Sequence, residues 1–169
     1  MHSRVIRNRQ LGLLTVRPLR NGDTRTICAF FQRLGAESRV RRFHGAKPLL
    51  SDGELSQLAA VDSRRHSLVA YVDGDPLPAG VAQLIRDCGR CTRAEIAFAV
   101  ADDYQGKGIG RTLVELLAAD ARAAGVTHLT ATIQSSNAAA RGLVQKVLDV
   151  VDIRYESGEA TLIAGLASR

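Results

Sequence analysis

Large aromatic side chains are scarce in this chain: tryptophan is absent, and three tyrosines with four phenylalanines bring aromatics to only 4% of the residues. Proteins that read single-stranded nucleic acid stack bases on such rings, so the formal charge of +6 does not make nucleic acid an expected partner. The clusters Arg4-Arg7-Arg9 and Arg39-Arg41-Arg42 read as solvated segments. Cysteine is scarce too, and three of them, an odd number, exclude a simple disulfide framework. Cys88-Gly89-Arg90-Cys91 is a C-x-x-C pair without a second pair to complete the four ligands of a structural zinc. His2, His44, His66 and His128 lack ligand spacing, and no metal is expected. No apolar run approaches the roughly 20 residues that span a bilayer, and Met1–Gln10 lacks the apolar centre of a secretory signal. Membrane association is therefore not expected, and the expected compartment is the cytoplasm.

With 169 residues, 46% of them apolar and 24% charged, the chain is sized for one domain with one sizeable core. Met1–Gln10 reads as a flexible basic N-terminal arm and residues 11–169 as a single domain. Leu13–Leu19 has strand composition ending at a proline and is expected at a sheet edge. Asn21–Thr24 offers caps for a helix carrying Ile27, Phe30, Phe31 and Leu34. Ser38–His44 is a basic, helix-compatible piece, and Ser51 stands three residues before Glu54, the spacing of a capping box, ahead of a third helix over Glu54–Ala60. His66–Val72 and Ala79–Ile85 read as a hairpin, continued by a strand over Ala94–Val100. A helix over Thr112–Ala124 follows, then a strand over Thr127–Ile133, a helix containing Leu143, Val144, Val147 and Leu148, and a terminal hairpin of Val150–Tyr155 with Ala160–Leu166.

The centre of this order is Gln105-Gly106-Lys107-Gly108-Ile109-Gly110-Arg111-Thr112, a glycine loop between a strand and a helix. Glycines allow backbone dihedrals and close approaches that side chains forbid, and the first N–H groups of the following helix have no partner within it. Such a nest suits phosphate. A dinucleotide fingerprint needs G-x-G-x-x-G and a P-loop needs G-x-x-x-x-G-K-[ST]; the glycines here fall as G-x-G-x-G, which fits neither.

Gln105-x-x-Gly108-x-Gly110 and its surroundings resemble the pyrophosphate loop of the GNAT N-acetyltransferases, a likeness extending from about Leu14 to the C-terminus. The resemblance implies an α/β fold with a mixed, mostly antiparallel central sheet and helices packed on both faces. It also implies acetyl-CoA as co-substrate, held by Gln105, Gly106, Lys107, Gly108, Ile109, Gly110, Arg111, Thr112 and Asn137, with backbone donors at Phe98, Ala99 and Val100 facing the thioester carbonyl. A pocket for the CoA phosphates would account for part of the basic excess. The segment Ala94-Glu95-Ile96-Ala97-Phe98 is similar to the corresponding strand of bacterial Pat-type protein lysine acetyltransferases, as are Ala36–Gly45 and Leu50–Leu55. That likeness makes Glu95 the general base and a protein lysine the acceptor. Within the enzyme class the alternative acceptor is a small-molecule amine, and outside it the alternative is a non-catalytic acyl-CoA-binding or partner-binding domain; a homodimer is compatible with each. One departure stands out: after Asn137, Ala140 and Lys146 match the family pattern, but Val144 replaces the usual tyrosine and Leu148-Asp149 replaces Gly-Phe. Val144 cannot protonate a departing thiolate, which leaves water or Ser136 for that role.

Overall fold

The computed structural model describes residues 3–43, 45, 47–87, 89 and 92–166; His44, Cys88 and Cys91, and with them the C-x-x-C pair, lie outside these. Two short strands, β1 (Arg4–Asn8) and β2 (Gly12–Pro18), precede three helices, α1 (Thr24–Gln32), α2 (Ala36–Phe43) and α3 (Asp52–Leu58). A meander of β3 (Arg65–Val72), β4 (Gly80–Arg86) and β5 (Arg93–Val100) leads through a 3-10 turn at Asp102–Tyr104 into α4 (Ile109–Ala123). The chain closes with β6 (His128–Gln134), α5 (Ala138–Val147), β7 (Asp149–Glu156) and β8 (Glu159–Gly165). The strands form one sheet in the order β1-β2-β3-β4-β5-β6-β8-β7. Only the β5–β6 pair is parallel, so the sheet is mixed and mostly antiparallel, as expected. Among the described residues no helix is long and apolar enough to cross a membrane.

Two cores lie on opposite faces of the sheet. On one, Ile109, Leu113, Leu117 and Ala121 of α4 and Val144 of α5 pack on Leu68, Ala82, Leu84, Ile96, Leu129 and Leu162. This is the stripe that the three-to-four-residue spacing of α4 demands. On the other, Ile27, Phe30 and Leu34 pack with Leu19, Val69 and Val81. Asp23 caps α1 by accepting from Thr26 N–H at 3.1 Å, and Ser51 and Glu54 make a reciprocal capping box at α3.

Two expectations fail at the N-terminus. Arg4–Asn8, expected inside a flexible arm, is a strand whose residues alternate between half-buried and exposed. Ile6 packs against the core, and Arg4 reaches across the sheet to the buried carboxylate of Asp120 on α4. One of the three arginines that suggested a solvated tail, Arg4, is thus paired with a carboxylate of α4, while Arg7 and Arg9 are exposed. Because β1 covers β2 in a five-residue antiparallel register, β2 is an inner strand rather than an edge. Pro18 is tolerated because it sits at the last position of that strand, beyond the β1 pairing.

A protein lacking residues 1–8 should therefore melt several degrees lower than the full chain, since it loses the whole β1–β2 pairing and the packing of Ile6, a loss of the order of a few kcal/mol. An unchanged melting temperature in calorimetry would show that the segment contributes nothing to the fold.

Candidate active site

The site begins where β5 and β6 part. Their parallel register runs from Arg93 opposite His128 to Glu95 opposite Thr130 and stops there, while β5 continues to Val100. On its other side β5 stays in register with β4 along its length. Asp87 N–H donates to Arg93 O at 3.0 Å and Ala101 N–H to Ala79 O at 2.9 Å, both on that register, so the odd-numbered residues of β5 exchange backbone bonds with β4. The even-numbered ones turn their backbone the other way. Phe98 and Val100 consequently present peptide groups to the opening between β5 and β6. Ala99 lines the opening, but its own backbone belongs to the β4 ladder opposite Val81.

The glycine loop closes one end of this opening. Gly106 and Gly108 have φ of +73° and +86°, and Gly108 is the residue before α4, where no side chain caps the helix. The first backbone bond of the helix runs from Thr112 N–H to Gly108 O, so the N–H groups of Ile109, Gly110 and Arg111 have no intrahelical acceptor. Gln105 Nε2 donates to Val100 O at 3.2 Å and to Ser38 Oγ at 3.0 Å, fastening the loop to the end of β5 and to α2. Asn8 of β1 fastens it from the other side, donating to Lys107 O at 2.9 Å while its Oδ1 accepts from Gln10 and Leu11 N–H.

Together these elements enclose a cleft of about 390 Å³, lined among others by Phe98, Val100, Gly108, Arg41, Arg42 and Leu143. Gln105, Gly106, Ile109, Gly110, Arg111 and Asn137 also line it, as the sequence suggested. Lys107 and Thr112 are not among its lining residues. The Lys107 ammonium folds back onto Asp103 O at 2.8 Å and the Tyr104 ring, and Thr112 lies one turn into α4. Asn137 caps α5 by accepting from Ala140 N–H at 3.2 Å.

Several lining residues escaped sequence reading. Ser38, Arg41 and Arg42 come from α2, the basic piece that composition assigned to solvent. α2 is held over the cleft by Gln105 at Ser38, by Gly35 N–H donating to Asp102 Oδ2 at 3.1 Å, and by Gln134 Nε2 donating to Val40 O at 3.4 Å. A Cβ at residue 35 would lie 2.5 Å from Asp102 Oδ2, so any larger residue would make the Asp102 carboxylate shift. Tyr104 also lines the cleft, its hydroxyl donating to Asp75 Oδ2 at 2.8 Å, with Arg33 Nη1 2.8 Å from the same oxygen. Asp75 accepts a backbone bond from Leu77 as well, and these donors hold its carboxyl below the usual carboxylate value.

Glu95 is exposed at the last residue of β5 that pairs with β6. Its charge acts on Arg42, whose guanidinium is pulled below its ordinary value by burial and raised by Glu95; an arginine stays cationic at neutral pH all the same. Arg42 Nη2 donates to Gln83 Oε1 at 2.5 Å. A carboxylate and a fixed cation therefore stand at the fork of the two strands. Among the described residues no cluster of His, Cys, Asp or Glu could hold a metal. The donor set fits a pyrophosphate and a carbonyl: unpaired N–H groups at a helix start, plus peptide groups on a parted strand.

A parted parallel pair with a glycine loop at the head of its helix is the arrangement that the resemblance to the GNAT N-acetyltransferases implies. The chain belongs to the acetyltransferase (GNAT) family, whose model matches residues 27–149. It is similar to acetyltransferase Pat of Mycolicibacterium smegmatis, 32% identical over 145 residues that cover 85% of this chain and 43% of that protein; the chain thus spans less than half the length of this relative. In three dimensions it is similar to the GNAT domain of S. lividans Pat, with a TM-score of 0.86, 24% identity and 96% of each chain covered. The yncA protein of Salmonella typhimurium, solved with its cofactor acetyl-CoA, gives a TM-score of 0.68 at 21% identity, covering 92% of this chain and 95% of that one.

Replacement of Gly108 by valine should weaken acetyl-CoA binding at least about tenfold, the equivalent of losing ~1.4 kcal/mol of contacts. The left-handed φ resists any side chain, and a Cβ would press on Asn8 Nδ2 at 3.4 Å. Titration calorimetry on a folded Gly108→Val protein that shows wild-type affinity would refute this role of the loop.

Proposed function

We propose that this protein transfers the acetyl group of acetyl-CoA to the side-chain amine of a protein lysine, with Glu95 as the general base. The observation that carries this reading is the position of Glu95, the last residue of β5 paired with β6, three residues before Phe98 and outside the lining of the cleft itself. Acetyl-CoA supplies an activated thioester. The N–H groups of Ile109, Gly110 and Arg111 would hold its pyrophosphate, and those of Phe98 and Val100 would face the carbonyl oxygen, where donors that need no reorganisation are most effective.

A lysine amine is almost entirely protonated at neutral pH, so a proton must leave before nitrogen can attack. Phe98 lies three residues beyond Glu95, about 10 Å along the strand, so the Glu95 carboxylate takes that proton through a water rather than by direct contact. Val144, which stands at the family's tyrosine position, is buried in the core, and Ser136 is not among the lining residues of the cleft. Tyr104 does line it, but its proton is committed to Asp75. Departure of the thiol therefore relies on solvent, which a group with a pKa near 8.5 allows. The lysine acceptor is supported by the likeness to Pat, and the small-molecule alternative has no acidic pocket of its own among the residues that line the cleft.

Glu95→Gln should lower kcat about 10²–10⁴-fold, the usual contribution of a general base, with acetyl-CoA affinity unchanged. Raising the pH toward the amine's own pKa should restore part of the loss, because more acceptor is then neutral in solution. Thiol release by the variant equal to wild type over pH 7 to 9 would remove Glu95 from the mechanism.

A further inference from the structure

On the face of the sheet away from α4, the registers of β3, β4 and β5 align side chains in rows. Val69, Val81 and Ala99 form the innermost row, Ser67, Gln83 and Ala97 the next, and Arg65, Ile85 and Glu95 the outermost. Helices bury the inner row, and Ser67 and Gln83 are buried as well. The outer row is open: Arg65 and Glu95 are exposed, and Ile85 keeps 44% of its surface in solvent. Beneath it lies a second cleft of about 390 Å³, walled by Phe43, Leu50, Leu58, Gln83 and Ile85. The two clefts meet at one hydrogen-bonded partition, since Arg42 lines the first, Gln83 lines the second, and Gln83 Nε2 is in turn fixed to Leu58 O at 2.8 Å.

The charges along this row are unequal. Lys47, also in the second cleft, is paired with Glu54 of the capping box. Arg65 also lines that cleft, and among the described residues no ion pair holds its guanidinium. Its acidic neighbour Asp62 accepts from the backbone N–H groups of Arg64 and Arg65 and attracts the Arg65 guanidinium only at a distance, without forming an ion pair with it. Arg93 follows on the same face of β5, two residues before Glu95. The open row thus reads cation, apolar, carboxylate across three strands. Neighbouring strands are about 4.8 Å apart, so Arg65 and Glu95 are separated by roughly 10 Å, a length spanned by about three residues of extended peptide.

We propose that this row is the acceptor-recognition strip of the protein and that it selects a lysine whose peptide carries a carboxylate about three residues away. Arg65 reads the carboxylate, Ile85 contacts the intervening side chain, and the lysine passes Glu95 toward the thioester, its proton leaving to that carboxylate through a water. Lysines flanked by basic residues are disfavoured because Arg65 and Arg93 repel them. The proposal rests on the lysine-acetylating function proposed above and adds its specificity.

The test uses the full chain, saturating acetyl-CoA and three series of extended peptides with one lysine and either aspartate, alanine or arginine three residues to each side. Wild type should acetylate the aspartate peptides with kcat/KM about five- to tenfold above the arginine peptides, the size of one exposed ion pair replaced by a like-charge contact. The difference should reside in KM for the peptide. Arg65→Glu should invert the order, and unchanged acetyl-CoA affinity by calorimetry will show that the variant is folded. An inversion is something that a merely structural role of Arg65 would not produce. The same order and ratio in wild type and Arg65→Glu would overturn the strip while leaving lysine acetylation standing. Acetylation of a free diamine but of no peptide would overturn both readings together.

Discussion

The parting of β5 from β6 after Glu95 is the constraint on which the rest of the structure depends. A parallel pair that stayed closed would satisfy the peptide groups of Phe98 and Val100 within the sheet, and there would be nothing to bind a carbonyl. Opening it exposes buried-type backbone, which is costly unless a partner replaces the lost strand. The fold supplies part of that replacement itself, since Gln105 donates to Val100 O. The sheet resumes beyond the gap because β6 finds its second partner in β8, paired along the full length from His128 to Gln134. One strand is therefore held by β4 and the other by β8. Neither needs its neighbour at the fork.

The opening also needs walls, and α2 is the one the sequence does least to announce. It buries no residue of its own, so hydrophobic packing alone would place it weakly. Polar ties do so instead. Ser38 to Gln105, Gly35 to Asp102 and Val40 to Gln134 link it to the loop, the 3-10 turn and the end of β6. Arg39 donates to Leu34 O and Pro48 O, both at 2.8 Å, and stacks on the Phe31 ring. Each tie is modest by itself, and a helix held by several modest ties can shift as a unit when a ligand competes for one of them. Gln105 is the natural point of competition, since it joins α2, β5 and Asp102 through a single amide.

Much of this fold was legible because its signals are local. The apolar periodicity of α4, the turn residues between β3 and β4, the capping box at Ser51 and Glu54, and the glycine spacing each lie within a dozen residues of sequence. What remained hidden depends on contacts between distant segments. Asn8 reaches Lys107, Arg4 reaches Asp120 and Arg42 reaches Gln83, and no window of sequence contains both members of any of these pairs. The basic N-terminus shows the error in its plainest form: Arg4-Val5-Ile6-Arg7-Asn8 alternates with a strand's period, but its charge concealed the alternation until Asp120 was seen to lie opposite. A motif names positions and not side-chain directions: Lys107 and Thr112 lie outside the lining of the cleft, and the Lys107 ammonium donates to Asp103 O.

The valine at position 144 follows from the same competition between core and cleft. On α5, Asn137, Ala139, Ala140 and Leu143 face the opening, whereas Val144 is buried in the core formed with α4. A tyrosine there would have to bring its hydroxyl out of an apolar layer or leave it without a partner, at a cost of about 1–3 kcal/mol. Without a phenol at 144, the groups at the fork among the described residues include one carboxylate, Glu95, and one permanent cation, Arg42. Under the function proposed above, the rate would rest on removing the proton from the amine and on the quality of the leaving group. A thiol leaves well as the anion near neutral pH. An acceptor amine does not lose its proton so readily, so the proposed mechanism needs a base more than it needs an acid.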